Sequence, residues 1–458
     1  MNTTNTEQTG VPIRRLAAWD AGALCNLAAE FETPLYVMDM NRVRENCARL
    51  LDAFPAATVR YAIKAHSGQA VLEVIRDVGI DVECASAGEV KAALTAGFDG
   101  ARIQYTAVNP PARDLDAIVE WWRDNREMTI TVGAADTVER LRERGFDGRL
   151  CIRVNPNVGA GHHEKVTTGA NAKFGIPHER VAELAAEWAA EFNFVGLHAH
   201  AGSGISGEDL SSHEELVRRM GTLARTVAER AGSIEFVDVG GGFGVPYRPS
   251  DPPLDLYDVA ERTRDALGTV NATLAIEPGR YVVADAGILL TRANTIKNAR
   301  EATVVGVDAG MTTLLRPAMY DAYHEIQNIS ASSTTDSKPV TVAGPICESS
   351  DIFAENRSIA TPTRGDILAI GTTGAYGYEM ASTYNARPRP AEVIYDDNTV
   401  KLARRRETLD ELDVIETASD EDSIELSSIV SHSSSSVTSD STVPVSSTTH
   451  APPGGGPQ

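Results

Sequence analysis

Cysteine is scarce in this chain. The five cysteines are scattered, and no two of them form a CxxC pair. Single cysteines in odd number indicate neither a zinc ribbon nor a disulfide framework. Free thiols are typical of a reducing compartment, so we expect a cytoplasmic protein. The positions are Cys25, Cys47, Cys84, Cys151 and Cys347.

Positive charge is also in short supply. Lysine and arginine together number 42 against 64 acidic residues, which gives a formal net charge of −22 at pH 7. Nucleic acids and anionic membrane surfaces require basic protein surfaces, so we expect neither as a partner. The chain has no run of about 18 apolar residues, and MNTTNTEQTG at its start has no signal-peptide pattern. We therefore expect neither a membrane span nor secretion.

Both ends of the chain are poor in apolar residues. Residues 1–10 are polar, and residues 406–458 are first acidic and then rich in serine and threonine. Such compositions bury too little apolar surface to offset the entropy lost on ordering. We expect both ends to be disordered and the long tail to have no catalytic role.

Residues 34–284 show a regular alternation of β-rich runs and helix-like segments. The helix-like segments carry apolar residues at a spacing of three to four. Eight strands that alternate with helices predict a (β/α)8 TIM-type barrel, with a doubly wound open sheet as the alternative. The eight runs are VRYAI (59–63), DVECAS (81–86), RIQYT (102–106), MTITV (128–132), LCIRVN (150–155), FVGLHAH (194–200), FVDVGGG (236–242) and TLAIEPG (273–279).

The pattern changes after about residue 285. Runs such as ATVVGVDAG and DILAIGTTGAY follow one another without long helices between them. We therefore predict a separate, mainly β domain over residues 285–405. Residues 11–33 are expected to pack on this domain.

Unusual residues stand at the carboxyl ends of the predicted barrel strands, where β/α barrels place their chemistry. Each has an ordinary explanation by itself, but their convergence on one rim predicts a common ligand. In chain order they are Lys64, Ser86, Asn155, His200, Gly240, Gly241, Gly242, Glu277 and Arg280.

The individual motifs leave alternatives open. Lys64, one of only seven lysines, is either a solvated side chain or a nucleophilic amine beside a pocket. The run VGGGFG (239–244) is either a plain loop or a phosphate-binding set of amides. His198 and His200 are core residues, metal ligands or, singly, a ring that stacks on a cofactor. No HExxH motif or acidic cluster accompanies them in the sequence, so no metal is expected.

EPGR (277–280) is either a salt-bridged turn or an acid for a heterocyclic nitrogen followed by an arginine for a substrate anion. Combined, the rim offers an amine, a glycine-rich phosphate site, a stacking imidazole and an acid for a ring nitrogen. Pyridoxal 5'-phosphate is the cofactor that uses these four groups.

The motifs, in order, resemble a known family. YAIKA, CASAGE, RVNP, KFGI, HAHAGSG, GGGFG and EPGR are followed by LRPAMYDAYH, GPICESSD and GAYGYEMASTYN. Over residues 12–405 this set resembles the diaminopimelate decarboxylases, fold type III pyridoxal-phosphate enzymes of the alanine-racemase-like group. The acidic tail is not part of that pattern, and His66 stands where asparagine is commoner. The resemblance implies decarboxylation of meso-2,6-diaminopimelate to L-lysine and CO2, the last step of lysine biosynthesis.

The resemblance also implies residue roles. Lys64 would carry the cofactor, and His200 would stack on its ring. Cys347 would reach into the neighbouring subunit's site, which implies a homodimer with shared sites, and the proton donor would be Cys347 or Lys64. The other implied residues are Ser203, Gly241, Gly242, Glu277 and Tyr376 for the cofactor and Arg280, Arg316, Tyr320, Glu348 and Tyr376 for the amino acid substrate.

Several other activities share this barrel. Carboxynorspermidine, arginine and ornithine decarboxylases are the alternatives within the family. Ornithine-type enzymes typically have Cys-Asp where this chain has Cys347-Glu348, and a racemase of the group would pair an arginine with the ring nitrogen. A non-catalytic pyridoxal-phosphate carrier is the alternative of a different class, and the predicted β domain argues against it.

Overall fold

The computed structural model describes residues 13–106, 108–158, 173–200, 202, 205, 209–300, 302–332, 334–397 and 399–414. The strands are β1 (Leu35–Asp39), β2 (Thr58–Ala62), β3 (Asp81–Cys84), β4 (Ile103–Thr106), β5 (Thr129–Val132), β6 (Arg149–Asn155), β7 (Ile176–Pro177), β8 (Asn193–His198), β9 (Phe236–Asp238), β10 (Thr273–Ile276), β11 (Gly287–Asn298), β12 (Thr303–Val307), β13 (Ile326–Asn328), β14 (Ser337–Ala343), β15 (Ile352–Ala360), β16 (Ile367–Ile370), β17 (Ala391–Asp396) and β18 (Thr399–Arg404).

The helices alternate with the strands in the first part of the chain and are rare in the second. They are α1 (Ala21–Glu30), α2 (Met40–Ala53), α3 (Gln69–Asp77), α4 (Ala87–Thr95), α5 (Ala112–Asp124), α6 (Ala135–Arg142), α7 (His178–Trp188), α8 (Ser211–Ala231), α9 (Leu256–Leu267), α10 (Arg280–Val283) and α11 (Arg316–Tyr320).

Eight parallel strands close into a barrel, as the sequence predicted. Their order is β5-β4-β3-β2-β10-β9-β8-β6, and pairing between β5 and β6 closes the ring. The outer helices are amphipathic. Helix α5, for example, buries Leu115, Ile118, Val119 and Trp122, which recur at the spacing of one helix face. The apolar helix faces cover the outside of the barrel strands, so the carboxyl ends of the strands remain available for a functional site.

The second sheet is built mainly from the C-terminal half of the chain. Its order is β15-β14-β12-β11-β1-β17-β18, and β16 pairs with both β11 and β13. Residues 34–284 were expected to form the barrel, but β1 lies in this second sheet. It pairs antiparallel with β11 and parallel with β17. All five residues of β1 are buried, which is typical of a central strand covered on both faces.

Residues 13–33 pack on one face of this second sheet. Helix α1 begins after Asp20, whose side chain accepts a hydrogen bond from the amide of Ala23 and caps the helix. Its buried side chains Leu24 and Ala28 share an apolar core with strand residues such as Val37 and Leu290. The packing ties the first described segment to the β domain.

The chain divides into one compact unit over residues 1–409 and a second over residues 410–458. The barrel and the β domain both belong to the first unit. Residues 1–10 and the tail from residue 415 onward, both expected to be disordered, lie outside the described residues. None of the described helices combines the length and apolar character that a membrane crossing requires. All five cysteines are free thiols.

Candidate active site

Lys64 lies at the carboxyl end of β2, in a short 3-10 helix over Ile63–Ala65. Its Nζ is 2.7 Å from Oε2 of Glu83, a buried residue of the neighbouring strand β3. Burial by itself would lower the pKa of Lys64, but Glu83, Tyr376 and Glu277 together outweigh burial and raise that pKa above its usual value. The amine is therefore held as an ammonium ion beside a carboxylate that can accept its proton.

Glu277 follows β10 and is buried inside the barrel mouth. Its Oε1 accepts a hydrogen bond of 3.4 Å from Gln104 Nε2, and its Oε2 lies 3.2 Å from Nε2 of His198. Burial, together with the charge of Glu83, raises the pKa of Glu277 to about 8. Both carboxylate oxygens are thus fixed by side chains of the barrel interior, which suits a group that holds one ring nitrogen.

The fold brings a second acid close to this pair, which the sequence did not indicate. Ligand atoms of His198, Asp238 and Glu277 lie within 4.8 Å of one another, an arrangement that could hold a metal ion. Asp238, however, is already bound by Arg60, whose Nη1 is 3.0 Å from Oδ2. Burial, followed by the charge of Glu277, raises the pKa of Asp238 to about 6. We interpret the three residues as part of a buried polar network, in which Gln104 and His198 contact Glu277 and Arg60 pairs with Asp238.

His200 lies at the exit of β8, half-buried at the rim. Its Nδ1 accepts a hydrogen bond of 3.2 Å from the amide of Gly241, so the ring proton resides on Nε2. Burial, and then the charges of Lys64 and Arg153, lower the pKa of His200 well below its usual value. A neutral, flat imidazole fixed by a backbone amide suits stacking on an aromatic ring.

The glycine run after β9 leaves no room for side chains. A Cβ on Gly241 would overlap the carbonyl oxygen of Glu277, and one on Gly242 would overlap that of Gly202. Gly242 also has a φ of +97°, a conformation that residues with side chains rarely adopt. Backbone without side chains can approach a phosphate closely. Ser203, the other residue implied for the phosphate, lies outside the described residues.

Tyr376 joins the two domains at the site. It has a φ of +57°, and its backbone amide donates a 2.9 Å hydrogen bond to the carbonyl of Ala65, next to Lys64. Its ring lies against the guanidinium of Arg280, 4.8 Å from Cζ to the ring centroid. A loop of the β domain is therefore fixed beside both the amine and the substrate side of the rim.

A cavity of about 560 Å³ opens next to this rim. Three of the residues implied for the substrate, namely Arg280, Arg316 and Tyr320, line it together with Tyr247. Arg280 Nη1 donates to the phenol oxygen of Tyr247 at 2.7 Å, and Arg316 Nη1 is 2.9 Å from Nε2 of His324. The fold thus brings two guanidinium groups together in one concave space.

Cys347 and Glu348 are exposed on a loop between β14 and β15. Cys347 Sγ lies 3.3 Å from Oδ1 of Asn385, and Glu348 accepts a 2.7 Å hydrogen bond from Tyr384 Oη. In the described part of the chain, neither residue contacts Lys64 or lines the cavity with the arginines. The structure of a single chain does not bring these two residues into the site.

Sequence reasoning missed several residues that the structure places at the site. Glu83 is the second-last residue of β3, next to Lys64, and could have been found by the rule that located Lys64. Arg153, on β6, packs its guanidinium 4.9 Å from the ring of Phe174, and burial lowers its pKa. Tyr247 and His324 lie in loops, so no periodicity marks them, and only the folded chain shows their role.

The residues present fit pyridoxal phosphate: an amine at Lys64, a buried acid at Glu277, a neutral ring at His200 and a glycine run without side chains. The pyridoxal binding domain of the pyridoxal-dependent decarboxylases matches residues 40–284. A diaminopimelate decarboxylase from Methanothermobacter thermautotrophicus is 42% identical, over 84% of this chain and 92% of the relative. The chain belongs to the diaminopimelate decarboxylase family. It is a pyridoxal-phosphate-dependent decarboxylase, as the motifs predicted.

Other members of the family agree with this assignment. The diaminopimelate decarboxylase of Aquifex aeolicus is 35% identical, over 85% of this chain and 92% of its own length. The structure of the Helicobacter pylori enzyme complexed with L-lysine superposes with a TM-score of 0.79 at 31% identity, covering 85% of this chain and 98% of that one. The structure of the diaminopimelate decarboxylase from M. jannaschii in co-complex with L-lysine gives a TM-score of 0.81 at 30% identity, covering 90% of this chain and 98% of that one.

Proposed function

We propose that this chain removes CO2 from meso-2,6-diaminopimelate and releases L-lysine, with pyridoxal 5'-phosphate as cofactor, at the last step of lysine biosynthesis. The observation that supports the substrate most directly is the pair Arg280 and Arg316 in the cavity beside the Lys64 rim. A substrate with a carboxylate at each end fits this arrangement, because one end can react while the other is held by guanidinium groups.

Different residues of the chain are proposed to hold the amine, the ring and the phosphate of the cofactor. Lys64 supplies the amine that holds the cofactor, and Glu83, 2.7 Å away, accepts the proton that this amine must lose before it can act as a nucleophile. Glu277 would hold the ring nitrogen, His200 would lie against the ring face, and Gly241, Gly242 and Ser203 would bind the phosphate with Tyr376. When bound, pyridoxal phosphate accepts the electron pair of the bond that breaks.

The substrate is held at its unreactive end. Arg280, Arg316 and Tyr320 would bind the remote carboxylate, and Glu348 the remote amine. At the reacting carbon one bond to a carboxylate is broken, CO2 leaves, and one proton takes its place. Cys347 and Lys64 are the two candidate donors of that proton, and single variants of each separate them.

We further propose that the active unit is a homodimer in the cytoplasm. Cys347 and Glu348 are exposed and do not reach the Lys64 rim of their own chain among the described contacts. Placing them at the site of a second copy would supply both residues where the reaction needs them. The free thiols of all five cysteines are consistent with a reducing compartment.

The test is CO2 release measured across a panel of amino acids. The purified protein with pyridoxal phosphate is incubated with meso-diaminopimelate, L-lysine, L-ornithine, L-arginine and carboxynorspermidine. Release from meso-diaminopimelate, with L-lysine as the product, is the expected result. Preferential release from ornithine, arginine or carboxynorspermidine would overturn the proposed substrate, and no release from any of them would support a carrier.

A further inference from the structure

The cavity arginines Arg280 and Arg316 lack a carboxylate partner among the described residues. Two acids do line the same cavity, but Asp251 accepts the backbone amide of Arg248 at 2.7 Å, and Asp321 is exposed. Arg316 is buried, and burial lowers its pKa, with no acid of the described chain in contact to offset the loss of solvent. Both guanidinium groups therefore face the cavity with their charge uncompensated.

The hydrogen bonds of His324 define its protonation state. Its Nδ1 is 2.9 Å from the carbonyl oxygen of Gly371, which can only accept, so Nδ1 carries a proton. Its Nε2 is 2.9 Å from Arg316 Nη1, which can only donate, so Nε2 carries none. The imidazole is thus a neutral ring, and burial lowers its pKa to about 3, which keeps it neutral.

Tyr247 orients the second arginine, Arg280, and also does so as a hydrogen-bond acceptor. Its phenol oxygen accepts from Arg280 Nη1 at 2.7 Å, while its ring face lies 4.5 Å from Cζ of Arg316. The ring also meets His324 edge-on, with centroids 5.3 Å apart and an interplanar angle of 78°. One aromatic side chain therefore contacts both guanidinium groups and the imidazole that orients one of them.

We infer that His324 and Tyr247 are positioning residues that aim Arg316 and Arg280 at the remote carboxylate of the substrate without cancelling their charge. An aspartate or glutamate would orient a guanidinium equally well, but it would also neutralise it. A neutral acceptor fixes the direction of the N–H groups and leaves the positive charge for the ligand. This inference rests on the proposed function, because it takes the remote carboxylate of diaminopimelate as the group that the arginines bind.

A pair of ligands that differ by one carboxylate tests this directly. Removal of CO2 from one end of diaminopimelate leaves L-lysine, which retains the remote carboxylate, whereas cadaverine is lysine without it. Dissociation constants of both are measured by calorimetry on the holoenzyme, for the wild type and for His324→Asp, His324→Asn and Tyr247→Phe. His213→Asn is the matched control, since His213 is another buried histidine, bonded to Thr263 and outside the cavity.

The wild type is expected to bind lysine about tenfold or more tightly than cadaverine. In His324→Asp the aspartate pairs with Arg316, so the lysine-over-cadaverine ratio falls by about tenfold while cadaverine binding is kept. His324→Asn, which keeps a neutral acceptor, loses less of the ratio, and His213→Asn keeps it. In steady-state kinetics with meso-diaminopimelate, KM rises in His324→Asp more than kcat falls.

An unchanged ratio in His324→Asp, or equal weakening of both ligands, would refute the positioning role. If that variant does not fold, Tyr247→Phe decides: it removes the acceptor of Arg280, so the ratio must fall, and an unchanged ratio refutes the inference. Failure of the proposed function gives a different result. The wild type would then release no CO2 from meso-diaminopimelate, whatever its lysine-over-cadaverine ratio.

Discussion

His66 Nε2 lies 2.6 Å from Oε1 of Glu392, and this contact joins the turn after Lys64 to strand β17 of the β domain. Both side chains are almost fully buried, at 2% and 1% exposure. His66 Nδ1 accepts the amide of Gly68 at 3.2 Å, so Nε2 is the nitrogen that donates to Glu392. The segment that carries Lys64, the amine proposed to hold the cofactor, is therefore fixed to the second domain by a buried hydrogen bond.

Removal of this imidazole should destabilise the protein. In His66→Ala the Glu392 carboxylate remains buried, and its remaining ion-pair partner among the described residues is Arg404, whose Nε is 3.5 Å away. The expected loss is about 3 kcal/mol in the free energy of unfolding, since one partner of a buried pair is removed. Urea unfolding measures it. His178→Ala is the control, because the side chains of the His178–Glu179 pair are 36% and 67% exposed, and its loss should stay within about 0.5 kcal/mol. Equal effects of the two variants would contradict the prediction.

Glu83 should set the pH at which the cofactor binds to Lys64. The Glu83 carboxylate raises the pKa of Lys64, so the ammonium form persists to higher pH than usual. In Glu83→Gln that negative charge is gone, the pKa of Lys64 falls, and the free amine becomes available at lower pH. The midpoint of the visible absorbance of the protein–cofactor adduct, titrated against pH, is expected to move down. Lys64→Ala, the reference, should show no adduct at any pH, and a midpoint that moves up in Glu83→Gln would disprove the assigned role.

Glu277 should make the cofactor-free protein less stable as the pH rises. Its pKa is raised from 4.5 to about 8 in the folded chain, so the folded state holds a proton there that the unfolded chain has already lost. Stability from this group is present below about pH 4.5 and is lost as the pH passes through 8. Melting temperatures between pH 5 and pH 8 should therefore fall in the wild type and fall less in Glu277→Gln. The charge of Glu277 also raises the pKa of Asp238, so Glu277→Gln reduces the pH dependence that comes from both acids. Parallel curves for the two proteins would count against the raised pKa of Glu277.

Shared sites predict recovery of activity on mixing two inactive proteins. Lys64→Ala removes the cofactor amine and Cys347→Ala removes the residue assigned to the partner's site. If subunits exchange at random, half of the dimers contain one of each, and each of these has one complete site. One quarter of all sites are then complete, so the expected activity is about a quarter of the wild-type activity at the same protein concentration. A mixture as inactive as its components, after exchange is verified by light scattering or mass spectrometry, would exclude the shared-site dimer.

Part of this site could be predicted from the sequence because β/α barrels place chemistry at the carboxyl ends of their strands. Lys64, His200 and Glu277 each follow a strand, and the structure has all three at the barrel mouth. Arg316 and Tyr320 came only from the family resemblance, since a short helix in the β domain has no sequence rule that marks a substrate site.

The rest depends on pairings between distant parts of the chain. Tyr247 and His324 meet because the loop after β9 packs against the β domain, and neither residue lies in a periodic segment. The partners of β1 could not be read from its local sequence. Its neighbours β11 and β17 come from residues 287 onward, and one of the pairings is parallel.

The position of β1 between β11 and β17 has a consequence during synthesis on the ribosome. Five consecutive residues of β1 end up buried, yet the strand that covers one edge, Ala391–Asp396, emerges only after nearly the whole described chain has been made. The barrel can assemble from contacts close in sequence, whereas this sheet has to wait for its last member. Nascent chains truncated before residue 391 should therefore expose an apolar edge and be the species that chaperones bind.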